Sequence, residues 1–288
     1  MNGILLINKE KGITSHFAIS RVKRIIKVKK IGHAGTLDPL ATGLLVVMVN
    51  SATKLSNYLM EATKEYIAEI FIGRSTDTLD SEGTILEEKK VKENIEVDSV
   101  LESFLGKSKQ IPPMYSAIKQ DGKKLYELAR SGIEVERKER DIEIFDINRI
   151  SEVINEDGFI KFSFKVTCSK GTYIRTLCED IGKVLGYPAH MSNLVRTKIG
   201  SLSIEDAYTV EDIEEGNYKY IEMTDALRNY NIIEVDERLY NLIINGVGIP
   251  ISEINAFDDL IVLTYKSELI GIYKKNNDGK YIAERVWN

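Results

Sequence analysis

The chain of 288 residues contains little cysteine and little histidine, and it has no long apolar run. Its two cysteines, Cys168 and Cys178, cannot build a disulfide framework, so we expect both to be small buried side chains. None of the three histidines has a Cys or His partner at metal-ligand spacing. The longest apolar run, residues 44–49, is far too short to span a bilayer. We therefore expect a cytoplasmic protein that needs neither a membrane nor a metal ion.

Acidic residues are scarce at the start of the chain. Residues 1–60 contain nine Lys or Arg but only two acids, Glu10 and Asp38, which gives this segment a charge of +7. The whole chain carries −5, so the remaining residues carry −12. A single carboxylate inside a basic loop is poorly explained as a solubility charge. It suits a reactive group on a surface that attracts a polyanion.

Hydrophobic periodicity predicts the main elements of the first 230 residues. After Thr14 or Ser15, either of which can cap a helix, apolar residues recur at helical spacing and the basic residues fall largely on another face. We predict strands at 3–8, 44–50, 64–72, 139–150 and 159–168, helices at 15–30, 98–105 (capped by Asp98), 124–131 and 171–185, and a polar loop at 75–83. The uneven order of strands and helices favours an α+β fold over a doubly wound sheet.

The end of the chain has the pattern of a small β unit. Residues 246–250, 260–265, 269–274 and 281–286 read as short strands, and residues 276–279 as a turn. A boundary is expected near residues 228–234, which divides the chain into domains 1–230 and 231–288. The second domain is close to the lower size limit for independent stability.

The loop that contains Asp38 has two structural interpretations. In the first, Asp38 caps a helix and Pro39 occupies its first position. The second is a functional loop, because a strand is predicted directly afterwards and Gly32, Gly35 and Gly43 permit another backbone to approach closely. A phosphate-binding loop is disfavoured, since the Walker spacing is absent and a central carboxylate would repel phosphate.

Six blocks of residues carry a family resemblance in their order and spacing. They are LINK at 6–9 with GITS at 12–15, GHAGTLDPLATG at 32–43, KEY at 64–66, PPMYSA at 112–117 with Lys119, Gly122 and Tyr126, SKGTYIRTL at 169–177, and LVR at 194–196 with Gly200. Across residues 1–205 this arrangement resembles the TruB-type tRNA pseudouridine-55 synthases. The sequence departs from the family pattern at Glu10, where proline is frequent, and at Val195 and Lys198, where further arginines are frequent.

The resemblance implies both a fold and a reaction. The fold would be a pseudouridine-synthase catalytic domain around a mixed, largely antiparallel sheet, followed by a small PUA-like RNA-binding β domain. The reaction would isomerise the uridine at position 55 of the T-arm loop of tRNA to pseudouridine. The base leaves N1, turns and is rejoined to the ribose through C5, so no atom is gained and no cofactor is required. The partner would be the T-arm stem-loop of tRNA, with acceptor-stem contacts from the β domain, and the enzyme would act as a monomer.

The resemblance also assigns roles to individual residues. Asp38 would be the nucleophile, Arg175 its ionic partner, and Tyr66 would stack on the flipped base and help to remove its C5 proton. The pocket would be completed by four substrate-binding residues: His33, which fills the space left by the base, and Tyr173, Leu194 and Lys9. Considered one at a time, these residues also fit ordinary roles as core or surface side chains.

The basic helix is the predicted contact for the RNA backbone. Its candidate residues are Lys23, Arg24, Lys27, Lys29 and Lys30. A solvated helix face is an equally good explanation for any one of these charges.

Two other functions remain open from the residues. An RNA-binding or tRNA-folding protein, with catalysis lost or secondary, would also use the basic helix and the C-terminal β unit. Such a protein would not need Asp38, Tyr66 and Arg175 together. A pseudouridine synthase that acts on guide-directed or ribosomal RNA is the third possibility.

Overall fold

The computed structural model describes residues 2–92, 95–120 and 122–287. The strands in these ranges are β1 Gly3–Lys9, β2 Ile31–His33, β3 Thr42–Val49, β4 Lys64–Ile72, β5 Arg74–Thr76, β6 Ile85–Glu88, β7 Gly106–Gln110, β8 Lys119–Gln120, β9 Lys123–Lys124, β10 Arg140–Arg149, β11 Ile154–Glu156, β12 Phe159–Cys168, β13 Ala189–Ile199, β14 Leu202–Ser203, β15 Asn231–Glu234, β16 Ile249–Pro250, β17 Leu260–Tyr265, β18 Glu268–Lys275 and β19 Lys280–Val286. The α-helices are α1 Ser15–Ile26, α2 Ser56–Glu61, α3 Val97–Glu102, α4 Leu125–Arg130, α5 Ile174–Leu185, α6 Val210–Glu214 and α7 Glu237–Ile243.

A large central sheet organises the first part of the chain. Its strand order is β1-β3-β13-β4-β12-β10-β7, with β2, β11 and β14 attached beside this path. The β13–β3 pair is parallel and the other pairs are antiparallel, so the predicted mixed, largely antiparallel α+β architecture is confirmed. Helix α5 packs on one face of this sheet through a core that includes Leu177 and Ile181.

A second sheet forms the end of the chain. It has the order β15-β17-β18-β19-β16 and begins at Asn231. Val262, Ile272 and Trp287 from this unit belong to the same apolar cluster as Ile4 and Leu44 of the central sheet. The expected small β unit is therefore present, and it packs directly on the first two central strands.

Most predicted elements are confirmed, but several boundaries are wrong. Helix α1 ends at Ile26 because Lys27 adopts a left-handed conformation, so Lys29 and Lys30 lie beyond the helix. Asp98 lies in the first turn of α3 and bonds to Arg149 at 2.8 and 2.9 Å, while Glu96 occupies the cap position. Residues 75–83 are not all loop, since β5 pairs with β6, and only the end of 246–250 is a strand.

The main omission from the predictions is the central strand β13. Its register shifts between Met191 and Asn193 and again between Arg196 and Lys198. These bulges break the simple alternation of apolar and polar residues on which strand prediction depends. Strand β2 and helix α7 were also not predicted.

Candidate active site

The Asp38 loop joins β2 to β3 and is fixed by hydrogen bonds to the segment that leads into α1. The hydroxyl of Ser15 donates to the carbonyl of Leu37 at 3.0 Å and accepts from its N–H at 2.8 Å. The carbonyl of Pro39 accepts from the N–H of Gly12 at 2.8 Å. A bend follows Asp38 and β3 starts at Thr42, so Asp38 does not cap a helix. The loop presents a carboxylate whose side chain is 42% exposed.

Helix α5 brings a buried guanidinium to this carboxylate. The side chain of Arg175 is only 5% exposed, and its Nη2 lies 2.9 Å from Asp38 Oδ2. The same guanidinium donates to the carbonyls of Tyr115 at 2.7 Å and Thr78 at 3.1 Å. The short distance and the burial show that the predicted pair is formed and that Arg175 is not a solvated helix charge.

A second acid, Asp80, faces the same guanidinium and was not identified from the sequence. Its carboxylate lies 3.7 Å from Arg175 Nη1 and is itself fixed by the Thr78 hydroxyl at 2.6 Å and by the N–H of Glu82 at 3.1 Å. Leu79, between these residues, has a left-handed φ of 62°. Since residues other than Gly, Asn and Asp seldom adopt this conformation, the turn is strained where it meets Arg175.

Tyr66 and Leu194 lie on neighbouring strands beside the Asp38 loop. Tyr66 is partly buried against a core that contains Leu194, Leu37 and Leu40. Burial raises the pKa of the Tyr66 phenol, the charge of Asp38 raises it further, and Arg196 opposes both. Leu194 pairs with Ala68 across the strands. Tyr66 and Leu194 therefore pack in the same cluster as Leu37, the residue before Asp38.

Tyr173 immediately precedes α5, the helix that contains Arg175. The amide of Gln110 holds its backbone, accepting from its N–H at 2.8 Å and donating to its carbonyl at 3.1 Å. Burial raises the pKa of Tyr173, whereas the charge of Arg175 lowers it and that of Asp38 raises it. Tyr173 therefore lies within electrostatic range of the Asp38–Arg175 pair.

Lys9 is fully buried beneath the loop. Its ammonium donates to the carbonyls of Glu10 and Ile13 at 2.8 Å each and lies 3.4 Å from that of Pro39. Burial lowers its pKa to about 8, although the charge of Asp38 raises it. Lys9 thus supports the loop backbone from β1, and it is not a surface charge.

His33 lies in the short strand β2, where the sequence predicted a loop. It pairs with Val47 of β3 and is partly buried. Burial lowers the pKa of its imidazole, so the ring is mostly neutral at neutral pH. The polar ring stands at the end of β2, just before Ala34 and Gly35 lead to Asp38.

Arg196 is the second site residue to which the sequence assigned no role, although it lies inside a matched motif. Its side chain is almost completely buried. Nε donates to the carbonyl of Leu44 at 2.8 Å and Nη2 to that of Gly35 at 3.0 Å. A Cβ at Gly43 would lie 2.4 Å from the Arg196 carbonyl, which explains why glycine occupies this position.

The basic segment after Thr14 forms an exposed surface. Lys23, Arg24, Lys27, Lys29 and Lys30 are all exposed, and none of them forms an ion pair within the part of the chain that the structure describes. Arg21, on the same helix, is different because it pairs with Glu211 at 3.1 Å and Glu214 at 3.0 Å. The five unpaired cations are free to attract a polyanion.

Within residues 2–92, 95–120 and 122–287, no group of three or more His, Cys, Asp or Glu residues could hold a metal ion. No helix in the same ranges is long and apolar enough to cross a membrane.

Comparisons with known proteins agree with this geometry. Residues 23–174 match the model of the N-terminal domain of the TruB family pseudouridylate synthases, and residues 175–238 match the tRNA pseudouridylate synthase B C-terminal domain. A tRNA pseudouridine synthase B from Halalkalibacterium halodurans is 43% identical, over 99% of this chain and 97% of the relative. One from Bacillus subtilis is 50% identical, over 74% of this chain and 70% of its own length.

Two solved structures that share this fold are assemblies of several molecules. An H/ACA ribonucleoprotein bound to a substrate RNA containing 2′-deoxyuridine superposes with a TM-score of 0.73 at 23% identity, covering 99% of this chain and 85% of that chain. A Cbf5-Nop10-Gar1 complex gives a TM-score of 0.72 at 25% identity, covering 99% and 84%.

Proposed function

Because the chain belongs to the TruB family of pseudouridylate synthases, we propose that it isomerises the uridine at position 55, in the T-arm loop of tRNA, to pseudouridine. The observation that carries this proposal is the 2.9 Å contact between the accessible carboxylate of Asp38 and the buried guanidinium of Arg175. The relatives named tRNA pseudouridine synthase B support tRNA as the substrate class.

The first step is to expose the uracil. A base in a folded loop is stacked, and turning it out costs a few kcal/mol. The cations at Lys23, Arg24, Lys27 and Lys30 bind the RNA backbone during this step, and His33 fills the space from which the base departs. The flipped uracil then lies between the ring of Tyr66 and the side chain of Leu194, with Tyr173 beside it.

The chemical steps centre on Asp38. Its carboxylate, which Arg175 holds at 2.9 Å, adds to the ribose C1′ or to the uracil ring, which divides one difficult exchange into easier steps. The bond from C1′ to N1 breaks, the base turns, and C1′ is joined to C5. Tyr66 takes part in removing the C5 proton. Lys9 keeps the Asp38 loop in place through the carbonyls that it binds.

The two parts of the chain have different tasks in this proposal. Residues 1–230 form the catalytic domain, and residues 231–288 form a PUA-like domain that contacts the acceptor stem of the same tRNA. One copy of the chain carries all the proposed catalytic residues, so a monomer suffices. The reaction itself consumes no cofactor.

The direct test incubates unmodified tRNA transcript with the wild type and with Asp38→Asn, and maps pseudouridine along the RNA. We expect modification at position 55 with the wild type and a loss of about 10³-fold or more with the variant, which retains tRNA binding. Binding of tRNA by a wild type that forms no pseudouridine would instead identify an RNA-binding or tRNA-folding protein. Modification only in guide-paired or ribosomal RNA would move the proposal to another substrate.

A further inference from the structure

Arg196 is a buried cation of the central sheet, and its guanidinium lies close to the Asp38 loop. Within residues 2–92, 95–120 and 122–287 no carboxylate forms an ion pair with it. A buried charge normally requires a partner, since its removal from water is costly. Its hydrogen-bond partners are instead the carbonyls of Leu44 and Gly35. The cost of burying this group therefore calls for a functional explanation.

The position of Arg196 on the sheet supplies one. In the register of β13 with β4, Arg196 pairs with Tyr66. The charge of its guanidinium lowers the pKa of the Tyr66 phenol, against the burial that raises it. The same guanidinium bonds to Gly35, three residues before Asp38. Arg196 thus joins the phenol, the nucleophile loop and strand β3.

Several titratable groups surround Arg196 and Tyr66. Asp38 from the loop and Cys168 from β12 act on Tyr66. Burial and then the charge of Arg196 lower the pKa of Lys64 to about 8. Arg196 also acts as a like charge on Lys9 and His33. For Tyr66, Arg196 opposes burial and the charge of Asp38, and it therefore stabilises a negative charge that develops on the phenol oxygen.

We propose that Arg196 is a positioning residue for the reaction: its guanidinium fixes the Gly35 backbone against β3 and stabilises the phenolate form of Tyr66. This inference rests on the proposed function. In the final step the Tyr66 oxygen takes the proton from C5, and the electron pair of that C–H bond becomes the C5–C6 double bond. The pair of the N1–C6 double bond moves to N1, which takes a proton from water. The product is neutral pseudouridine, whose base stays joined to the ribose through C5. Tyr66 is left as a neutral phenol, and the hydroxide formed from the water takes its proton and restores the phenolate.

The test measures single-turnover rates on tRNA transcripts made with uridine or with 5-deuterouridine. Arg196→Lys keeps the positive charge but cannot span Leu44, Gly35 and Tyr66 at once. We expect it to slow the reaction about 10- to 100-fold and to raise the hydrogen-to-deuterium rate ratio above the wild-type value, because C5 deprotonation becomes more rate-limiting. Arg196→Gln, a neutral donor, serves as the second variant if the lysine variant does not fold.

Lys64→Met is the matched control. Lys64 is another buried cation of the same sheet, and its ammonium contacts the carbonyls of Met60 and Ala62. Its loss should leave the isotope ratio at the wild-type value, even if stability falls. In a Tyr66→Phe background, Arg196→Lys should cost much less than it does alone, because the hydroxyl through which it acts is gone.

Two results would overturn the inference. One is an Arg196→Lys enzyme whose rate equals that of the wild type. The other is an equal slowing of both isotopic substrates, which would leave Arg196 with a structural role only. A wild type that forms no pseudouridine in tRNA would refute the proposed function instead, so the two failures are distinguishable.

Discussion

Charge is used in opposite ways in two regions of the molecule. One, which we call the cleft, contains Asp38, Arg175 and Lys9, and the other is the basic surface after Thr14. In the cleft, Arg175 and Lys9 are buried and each has several partners within hydrogen-bond distance. On the basic surface, Lys23 and Lys27 are exposed and have no ion pair within the described ranges. Lys9 and Asp38 come from the same basic N-terminal segment as the surface, whereas Arg175 comes from α5.

This difference separates chemistry from affinity. A buried charge acts over a short distance in a fixed geometry, so its removal changes the barrier to reaction. An exposed charge attracts a polyanion from solution and is screened by salt. We therefore expect changes in the cleft to lower turnover with little loss of RNA affinity, and changes on the surface to do the reverse.

The largest effect is expected for Arg175→Met. Without the guanidinium, the Asp38 carboxylate loses the contact that orients it. Single-turnover pseudouridine formation should fall about 10²- to 10³-fold, while the dissociation constant for tRNA changes little. Equal losses in turnover and affinity would break the comparison, because the cleft would then be acting as part of the binding surface.

The next largest effect is expected for Lys9→Met, and it concerns how the free energy of unfolding depends on pH. Its folded pKa of about 8 lies below the ordinary value of 10.5. Below about pH 8 the amine is charged in both states, whereas above it only the unfolded chain keeps the proton, so stability rises with pH. Between about pH 8 and pH 10, the free energy of unfolding measured in urea should rise by about 2 kcal/mol less in Lys9→Met than in the wild type. In the exposed-charge control, Lys27→Ala, this free energy should depend on pH as it does in the wild type.

Asp80→Asn should have an intermediate effect on turnover. The Asp80 carboxylate, 3.7 Å from Arg175, helps to hold the guanidinium that faces Asp38. We expect a loss of about tenfold in the single-turnover rate with unchanged tRNA affinity. Asp77→Asn is the control, because Asp77 lies in the same turn and accepts from the N–H of Thr84 at 2.7 Å. If both variants behave alike, the turn as a whole and not the Asp80 charge is responsible.

The smallest effects are expected on the basic surface. Lys23→Ala, Arg24→Ala and Lys27→Ala should each weaken tRNA binding a few-fold and reduce the slope of log affinity against log salt by about 0.7 to 0.9. Arg21→Ala should change the slope less, since Arg21 is already paired with Glu211 and Glu214. An unchanged slope in the first three variants would remove α1 from the RNA interface.

Local pattern was sufficient to predict much of the fold. Strands β4 and β12 begin and end where their alternation predicts, and α5 ends at Gly186, which has a left-handed conformation. Strand β13 was missed because its two bulges interrupt that alternation. Helix α1 was predicted too long because nothing in its charge pattern marks Lys27 as the residue that leaves the helix.

The candidate site was predicted only where the family resemblance reached. Asp38, Tyr66 and Arg175 lie in matched motifs, and the structure brings the first and third into contact. Asp80 was missed because an acid in a polar turn has no distinctive pattern, and its role arises only when the turn meets α5. Arg196 lies within a matched motif, yet its burial beneath the Gly35 loop depends on the parallel β13–β3 pairing, which is a tertiary feature.

The most direct test of the account is a crystal structure of the protein with a T-arm stem-loop that carries 5-fluorouridine at the target position. The account predicts that the base is turned out of the loop and lies against the Tyr66 ring and Leu194, with the Asp38 carboxylate adjacent to it and still paired with Arg175. A base that stays stacked in the RNA, or that binds away from Asp38, would contradict it.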